Sequence, residues 1–258
     1  MTQRLFDFHA RLAPVAGAEE KLLATLGAAG ISRAVVCAGG TIDLVQLSRQ
    51  LVLGGHVTTD AGNDAVLAAA RRSGGRLVPF WFANPHRPAE EYAKRATDFH
   101  GLELSPAVHG VPLDDPRTRG LVEVAAGQGH PVYVVCLIRQ GCGVRDLAAL
   151  AGDFPDTAFV LGHSGTGNID FDAVEVVAPR PNILFETSGG YSSVLAAALR
   201  RLGSDRLLFG SEYPLQHPDV ELAKFRTLDL PPADWARIAW DNAARVLNLE
   251  EPDDTDSV

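Results

Sequence analysis

Eight short apolar runs, rich in β-branched and aromatic residues, recur along the chain. They are Leu5–His9, Arg33–Cys37, Leu77–Phe82, Gly101–Leu104, Pro131–Cys136, Ala158–His163, Ile183–Thr187 and Leu207–Glu212. Each is close to continuous in hydrophobicity, the pattern of strands covered on both faces in a parallel sheet. Helical spacing fills the intervals. In Ala18–Ala29, Leu22, Leu23 and Leu26 share one stripe, and Glu19 and Glu20 lie in the first turn, where the helix dipole favours acids. Pro116–Gln128 and Val194–Leu202 read similarly, and Pro155, Pro179, Pro181 and Gly203 stand where helix gives way to strand. Eight strand–helix units in about 250 residues predict a single (β/α)8 TIM barrel, an α/β fold, with a C-terminal helix. A doubly wound open sheet is the competing fold, but no GxGxxG follows the first run.

The spacing lengthens once. The starts of the second and third runs are 44 residues apart, and Gly39–Asn63 in that interval predicts an extra helix. Loops after barrel strands lie on the catalytic face, so this insertion is either a lid or an ornament.

In a barrel, chemistry comes from polar side chains at the C-terminal strand ends. This chain offers His9 and Arg11 at the first, Glu103 in the fourth, His163 at the sixth, Glu186 in the seventh and Glu212 at the eighth. Glu103 and Glu186 interrupt apolar runs, where an uncompensated carboxylate is costly, so they must be paired, metal-bound or protonated. Arg11, His9 and His163 are the nearest partners. Around them, His109 lies in the loop after the fourth strand, where it could contact substrate. Tyr191 could donate a hydrogen bond from the turn Thr187–Tyr191, whose glycines suit anion or carbonyl binding. Trp81, with Phe82, could wall a small apolar pocket, with core packing as the alternative. Cys37 and Cys136 read as inert buried thiols, and Trp235 and Trp240 as packing of the terminal helix.

Composition narrows the function. The 258 residues carry a net charge of −9. Five acids fall within residues 250–258, and without them the charge is −4. The expected organisation is a barrel over 1–249 followed by a disordered acidic tail over 250–258. No Lys/Arg cluster is present to neutralise phosphates, which excludes nucleic acid as a partner. Three cysteines with no CxxC exclude a disulfide framework and a zinc ribbon. No apolar run approaches ~18 residues, so no membrane association and a cytoplasmic location are expected.

The segments FDFHARL, LELSPAVHGVPLDD, LGHSG, ILFETSGG, LLFGSEYP and DNAARVLNL, in this order, resemble the amidohydrolase superfamily. The resemblance is to the branch that contains metal-dependent decarboxylases and lactonases. It implies a TIM barrel acting on a small-molecule carbonyl or carboxylate compound, and it leaves a homodimer open. The family's metal ligands are incompletely matched. Its first-strand His-x-His is His9-Ala10-Arg11 here, Val135 stands at its fifth-strand histidine, and its eighth-strand aspartate is Glu212; His163 is retained. Many members have a lysine where this chain has Glu103.

Three readings follow. In a metal-free enzyme, Arg11 supplies the fixed cation and Glu212 and His163 act as acid and base, with His9 beside them; some lactonases of the superfamily work without a metal. In a rearranged metal site, His9, His163 and Glu212 hold Zn or Mn, with Arg11 opposing the ion by charge. In the third, the barrel is a non-catalytic binding or partner subunit.

Overall fold

The computed structural model describes residues 4–249; the acidic segment expected to be a tail, 250–258, lies outside the described residues. The strands are β1 (Leu5–Leu12), β2 (Ile31–Ala38), β3 (Leu77–Pro79), β4 (Trp81–Phe82), β5 (Leu102–Leu104), β6 (Val132–Val134), β7 (Phe159–Leu161), β8 (Ile183–Glu186) and β9 (Leu207–Leu208). The helices are α1 (Ala18–Ala28), α2 (Leu44–Leu53), α3 (Asn63–Arg72), α4 (Ala89–Ala93), α5 (Pro106–His109), α6 (Pro116–Gln128), α7 (Val144–Asp153), α8 (Phe171–Val177), α9 (Ser192–Leu202), α10 (Pro218–Arg226), α11 (Pro232–Ala236) and α12 (Asn242–Val246).

All strand pairs are parallel, in the orders β1-β2-β3 and β4 through β9. The third apolar run is divided at Phe80. Phe80 N donates to Val36 O (3.0 Å) on one side, and Trp81 N donates to Gly101 O (2.9 Å) on the other. β3 and β4 are therefore one stave that changes partner midway. The circle closes beyond the end of β9, where Phe8 N bonds Phe209 O (2.8 Å), Glu212 N bonds His9 O (2.8 Å) and Arg11 N bonds Tyr213 O (2.7 Å). The result is the (β/α)8 barrel that the spacing predicts.

Alternate residues explain the near-continuous hydrophobicity. Phe6, Phe8, Val35, Val78, Phe80, Val160, Leu184 and Leu208 fill the barrel, whereas Val36, Leu102, Val134, Phe159, Leu161 and Phe185 pack outward under the helices. The chain beyond α11 passes through a π-helical turn, Arg237–Asp241, into α12. Trp240 meets Phe6 edge-on (5.6 Å between rings), and with Ala243, Val246 and Leu247 it closes the N-terminal end of the barrel interior. The other end is left for the site.

The insertion does form a helix, α2, N-capped by the Asp43 carboxylate on the amides of Val45 and Gln46. It turns Leu44, Val45, Leu51, Val52 and Leu53 to solvent, and Gln50 is its buried residue. Among the described residues, no helix is long and apolar enough to cross a membrane.

Candidate active site

A register shift in β1 creates the site. Asp7 pairs with Ala34 but Ala10 pairs with Val36, so one extra residue of β1 is accommodated between them. Phe6 and Phe8 face the interior, and across this bulge the His9 ring and Arg11 head reach the mouth. The buried carboxyl of Asp7 holds the bulge by accepting from His9 N (3.0 Å), Ser211 N (2.9 Å) and the Ser211 hydroxyl. Burial pushes its pKa up to about 7 against those hydrogen bonds.

Glu103 lies between Leu102 and Leu104 on β5, which pack outward, and its carboxylate is completely buried. Arg11 Nη2 donates to Glu103 Oε1 (2.7 Å), and Nη1 reaches Ala38 O (3.4 Å). His9 Nε2 is 3.4 Å from Glu103 Oε2. Since a carboxylate only accepts, that ring nitrogen carries the proton. Burial alone would raise the Glu103 pKa, but the guanidinium and His9 outweigh it and hold the carboxyl well below its usual range. The Arg11 head stands 5.6 Å over the Phe82 ring and keeps 18% of its side chain in solvent.

His163 follows β7, and Glu212 follows Ser211 past β9. His163, Ser164 and Glu212 all have left-handed backbone, with φ of 56°, 56° and 57°. Residues other than glycine adopt this region at a cost, and such strain is concentrated at functional sites. His163 Nδ1 lies 3.3 Å from Glu212 Oε2. Burial, reinforced by His9, lowers the His163 pKa to about 3. Burial raises that of Glu212 despite Arg11 and His9 nearby.

Glu186 is fully buried one layer inside the mouth. It accepts from Tyr133 Oη (2.8 Å), His163 N (2.9 Å), Ser188 Oγ (2.9 Å) and Ser188 N (2.6 Å). The Tyr133 ring lies flat on His9, with centroids 4.2 Å apart and planes at 4°. Two glycines make room for this group. A Cβ on Gly162 would fall 2.5 Å from Tyr133 Oη, and one on Gly210 would collide with Glu186 Oε1.

His9, Arg11, Glu103, His163, Glu186 and Glu212 thus gather at one mouth. The other residues expected near substrate have partners of their own. His109 is completely buried on α5, with Nε2 3.2 Å from Thr59 O and its ring against Phe82. Trp81 points outward onto Tyr92 and Phe99. Tyr191, 55% exposed, precedes α9 on the rim. The amides of the turn before it are used internally. Those of Ser188, Gly189, Gly190 and Tyr191 go to Glu186, Glu221, Ser188 O and Asn168 O. No anion nest remains there.

Asp7 and Tyr133 join this network without having been singled out by the sequence, and Cys37 is the inert buried thiol that the sequence suggests. Asp7 carries the same signal as Glu103, a carboxylate inside an apolar run. Tyr133 is legible only as an inward position of its strand, which requires the register.

The one ligand cluster found among the described residues fits a divalent cation poorly. Among the described residues, the potential ligands drawn within 4.8 Å of one another are those of His9, Cys37 and Glu103. Glu103 is already neutralised by Arg11, His9 presents an N–H to it, and burial and Glu103 raise the Cys37 pKa well above its usual value. An ion there would meet a protonated thiol and a guanidinium.

The chain matches the family described as amidohydrolase over residues 9–249. It is 26% identical to a thiazole synthase from Yersinia pseudotuberculosis over 207 residues, 77% of this chain and 75% of that protein. It is also 26% identical to a gamma-resorcylate decarboxylase from Polaromonas sp. over 145 residues, 48% of this chain and 42% of that one. Among solved structures, a 5-carboxyvanillate decarboxylase from Novosphingobium aromaticivorans with bound manganese superposes with a TM-score of 0.73. That match is at 14% identity and covers 96% of this chain and 98% of that one, a likeness of fold.

Proposed function

Since this chain belongs to the amidohydrolase family, we propose that it is an enzyme for a small carboxylate-bearing carbonyl compound, with Arg11 supplying the fixed positive charge at its mouth. The observation that carries this reading is the Arg11 head itself. It is anchored from behind by buried Glu103 and partly open to solvent, on the barrel face that also bears the His163–Glu212 pair. A guanidinium so held can bind a substrate carboxylate or a developing oxyanion without reorganising.

Glu212 is the general acid in this reading. Its raised pKa keeps a larger protonated share than an ordinary carboxyl at the same pH. In lactone, ester or amide hydrolysis the proton goes to the leaving group; in decarboxylation it goes to the carbon that loses CO2. His163, uncharged near neutrality because of its lowered pKa, accepts a proton or hydrogen bond from water or from a substrate hydroxyl. His9 completes the wall.

The test is turnover of a panel of lactones, esters, amides and aromatic carboxylates, with product analysis separating hydrolysis from CO2 release. Activity should survive exhaustive chelation and fall at least ~100-fold in Glu212→Gln, within the range of lost acid–base catalysis. Because the active form of Glu212 is protonated, kcat/KM should decline as pH rises through its raised pKa. Loss of activity on chelation, restored by Mn²⁺ or Zn²⁺, would overturn the metal-free assignment.

The competing reading is a binding subunit without turnover, and the Arg11–Glu103 pair also favours it, since Glu103 occupies part of the guanidinium. Carboxylate binding that depends on Arg11, with no substrate consumed, would support it.

A further inference from the structure

Glu186 has no route to a substrate, and its hydrogen bonds instead dictate the state of a neighbour. Four donors converge on this carboxylate: Tyr133 Oη–H, the amides of His163 and Ser188, and the Ser188 hydroxyl. Ser188 has a single hydroxyl proton, and it is committed to Glu186. Towards His163 Nδ1, 3.0 Å away, the Ser188 oxygen can only accept. His163 must therefore carry its proton on Nδ1. Its Nε2 is left as a bare acceptor, buried and without a hydrogen-bond partner among the described residues. Nε2 is thus the ring nitrogen that remains able to accept a hydrogen bond.

We propose that Glu186 and Ser188 are positioning residues that lock His163 in the Nδ1–H tautomer and reserve Nε2 for a proton donor on the substrate or on a bound water. The second imidazole is held by the same carboxylate through another path. Tyr133, whose hydroxyl donates to Glu186, supports the His9 ring face to face. His9 gives its Nε2 proton to Glu103, and its Nδ1 is likewise buried and unpartnered. Gly162 and Gly210 belong to the device, because a side chain at either would displace Tyr133 or Glu186. The tautomer follows from hydrogen bonding alone; only its use in turnover rests on the enzymatic reading above.

The experiment is nitrogen NMR of full-length protein labelled with ¹⁵N-histidine, with the His163 signals assigned by their loss in His163→Gln. Wild type should show a protonated Nδ1 and an unprotonated Nε2. Ser188→Ala should shift at least half of the His163 population to the Nε2–H form, and Ser188→Thr, which keeps the hydroxyl, should restore the wild-type pattern. Gly210→Ala should reach the same end as Ser188→Ala without altering the serine. Glu212→Gln should leave the tautomer unchanged, because Ser188 Oγ, 3.0 Å from Nδ1, remains there to accept its proton. An Nε2–H tautomer in wild type, or an unchanged Nδ1–H tautomer in Ser188→Ala, overturns the proposal. Where a substrate is turned over, Ser188→Ala should lower kcat about tenfold with little change in KM, at the low end for loss of a supporting hydrogen bond. The expected tautomer shift in a protein that turns over nothing upholds the relay and overturns only the enzymatic reading.

Discussion

Arg11 is the residue on which stability and the proposed chemistry meet. Its partner Glu103 is out of reach of water, so removing the guanidinium leaves a buried carboxylate uncompensated. Breaking a buried pair from one side typically costs ~3–5 kcal/mol, more than replacing both partners. Arg11→Met should therefore lower unfolding stability by about that amount in chemical denaturation, and adding Glu103→Met should recover most of it. Asp7 makes the opposite kind of prediction. Its folded pKa of about 7 lies well above that of an ordinary aspartate carboxyl, so the folded state binds its proton more tightly than the unfolded state does. The linked stability is fully present below the unfolded pKa and is lost as pH rises through the folded one. Between pH 5 and pH 8, wild type should lose thermal stability that Asp7→Asn does not lose. Parallel melting curves across that range would contradict this.

Among the elements, α2 departs most from what its sequence suggests. Its leucines and valines imply a helix that packs, yet five of them face solvent and Gln50 faces inward. The lengthened 44-residue interval between the second and third runs predicted the helix. It could not say which face is covered, because that depends on what the barrel offers beneath. Polar replacements at Leu44, Val45 and Val52 should change stability by no more than ~0.5 kcal/mol each, as expected for exposed positions, and should improve solubility. A loss above 2 kcal/mol for the triple variant would mean that the helix is covered in solution. The third apolar run teaches a similar lesson. Its composition announced one strand, but the exchange of partners at Phe80 divides it, since hydrogen bonding to β2 ends where bonding to β5 begins.

On the scale of the whole molecule, the barrel is closed at its base by its own terminal segment and leaves its polar groups at the other end. Trp240 is 8% exposed, against Phe6 and in line with the interior column. Trp240→Ala should cost about 3–5 kcal/mol, the range for deleting a large aromatic from a core, without altering ligand binding at the distant mouth. Binding that weakens with the global stability held constant would show that base and mouth are coupled.

The eight strand–helix units, the barrel and the inventory of His9, Arg11, Glu103, His163, Glu186 and Glu212 were determined by the sequence alone. Burying alternate apolar residues is a local demand repeated eight times, and a carboxylate inside an apolar run announces itself. The pairing of those groups was decided only by the tertiary structure. One extra residue in β1 swings His9 and Arg11 into the mouth. Gly162 and Gly210 then leave the room in which Tyr133, Glu186, Ser188 and His163 connect. Such contacts join residues up to 204 positions apart, as between Asp7 and Ser211, and their partners depend on register and closure, which no local pattern encodes.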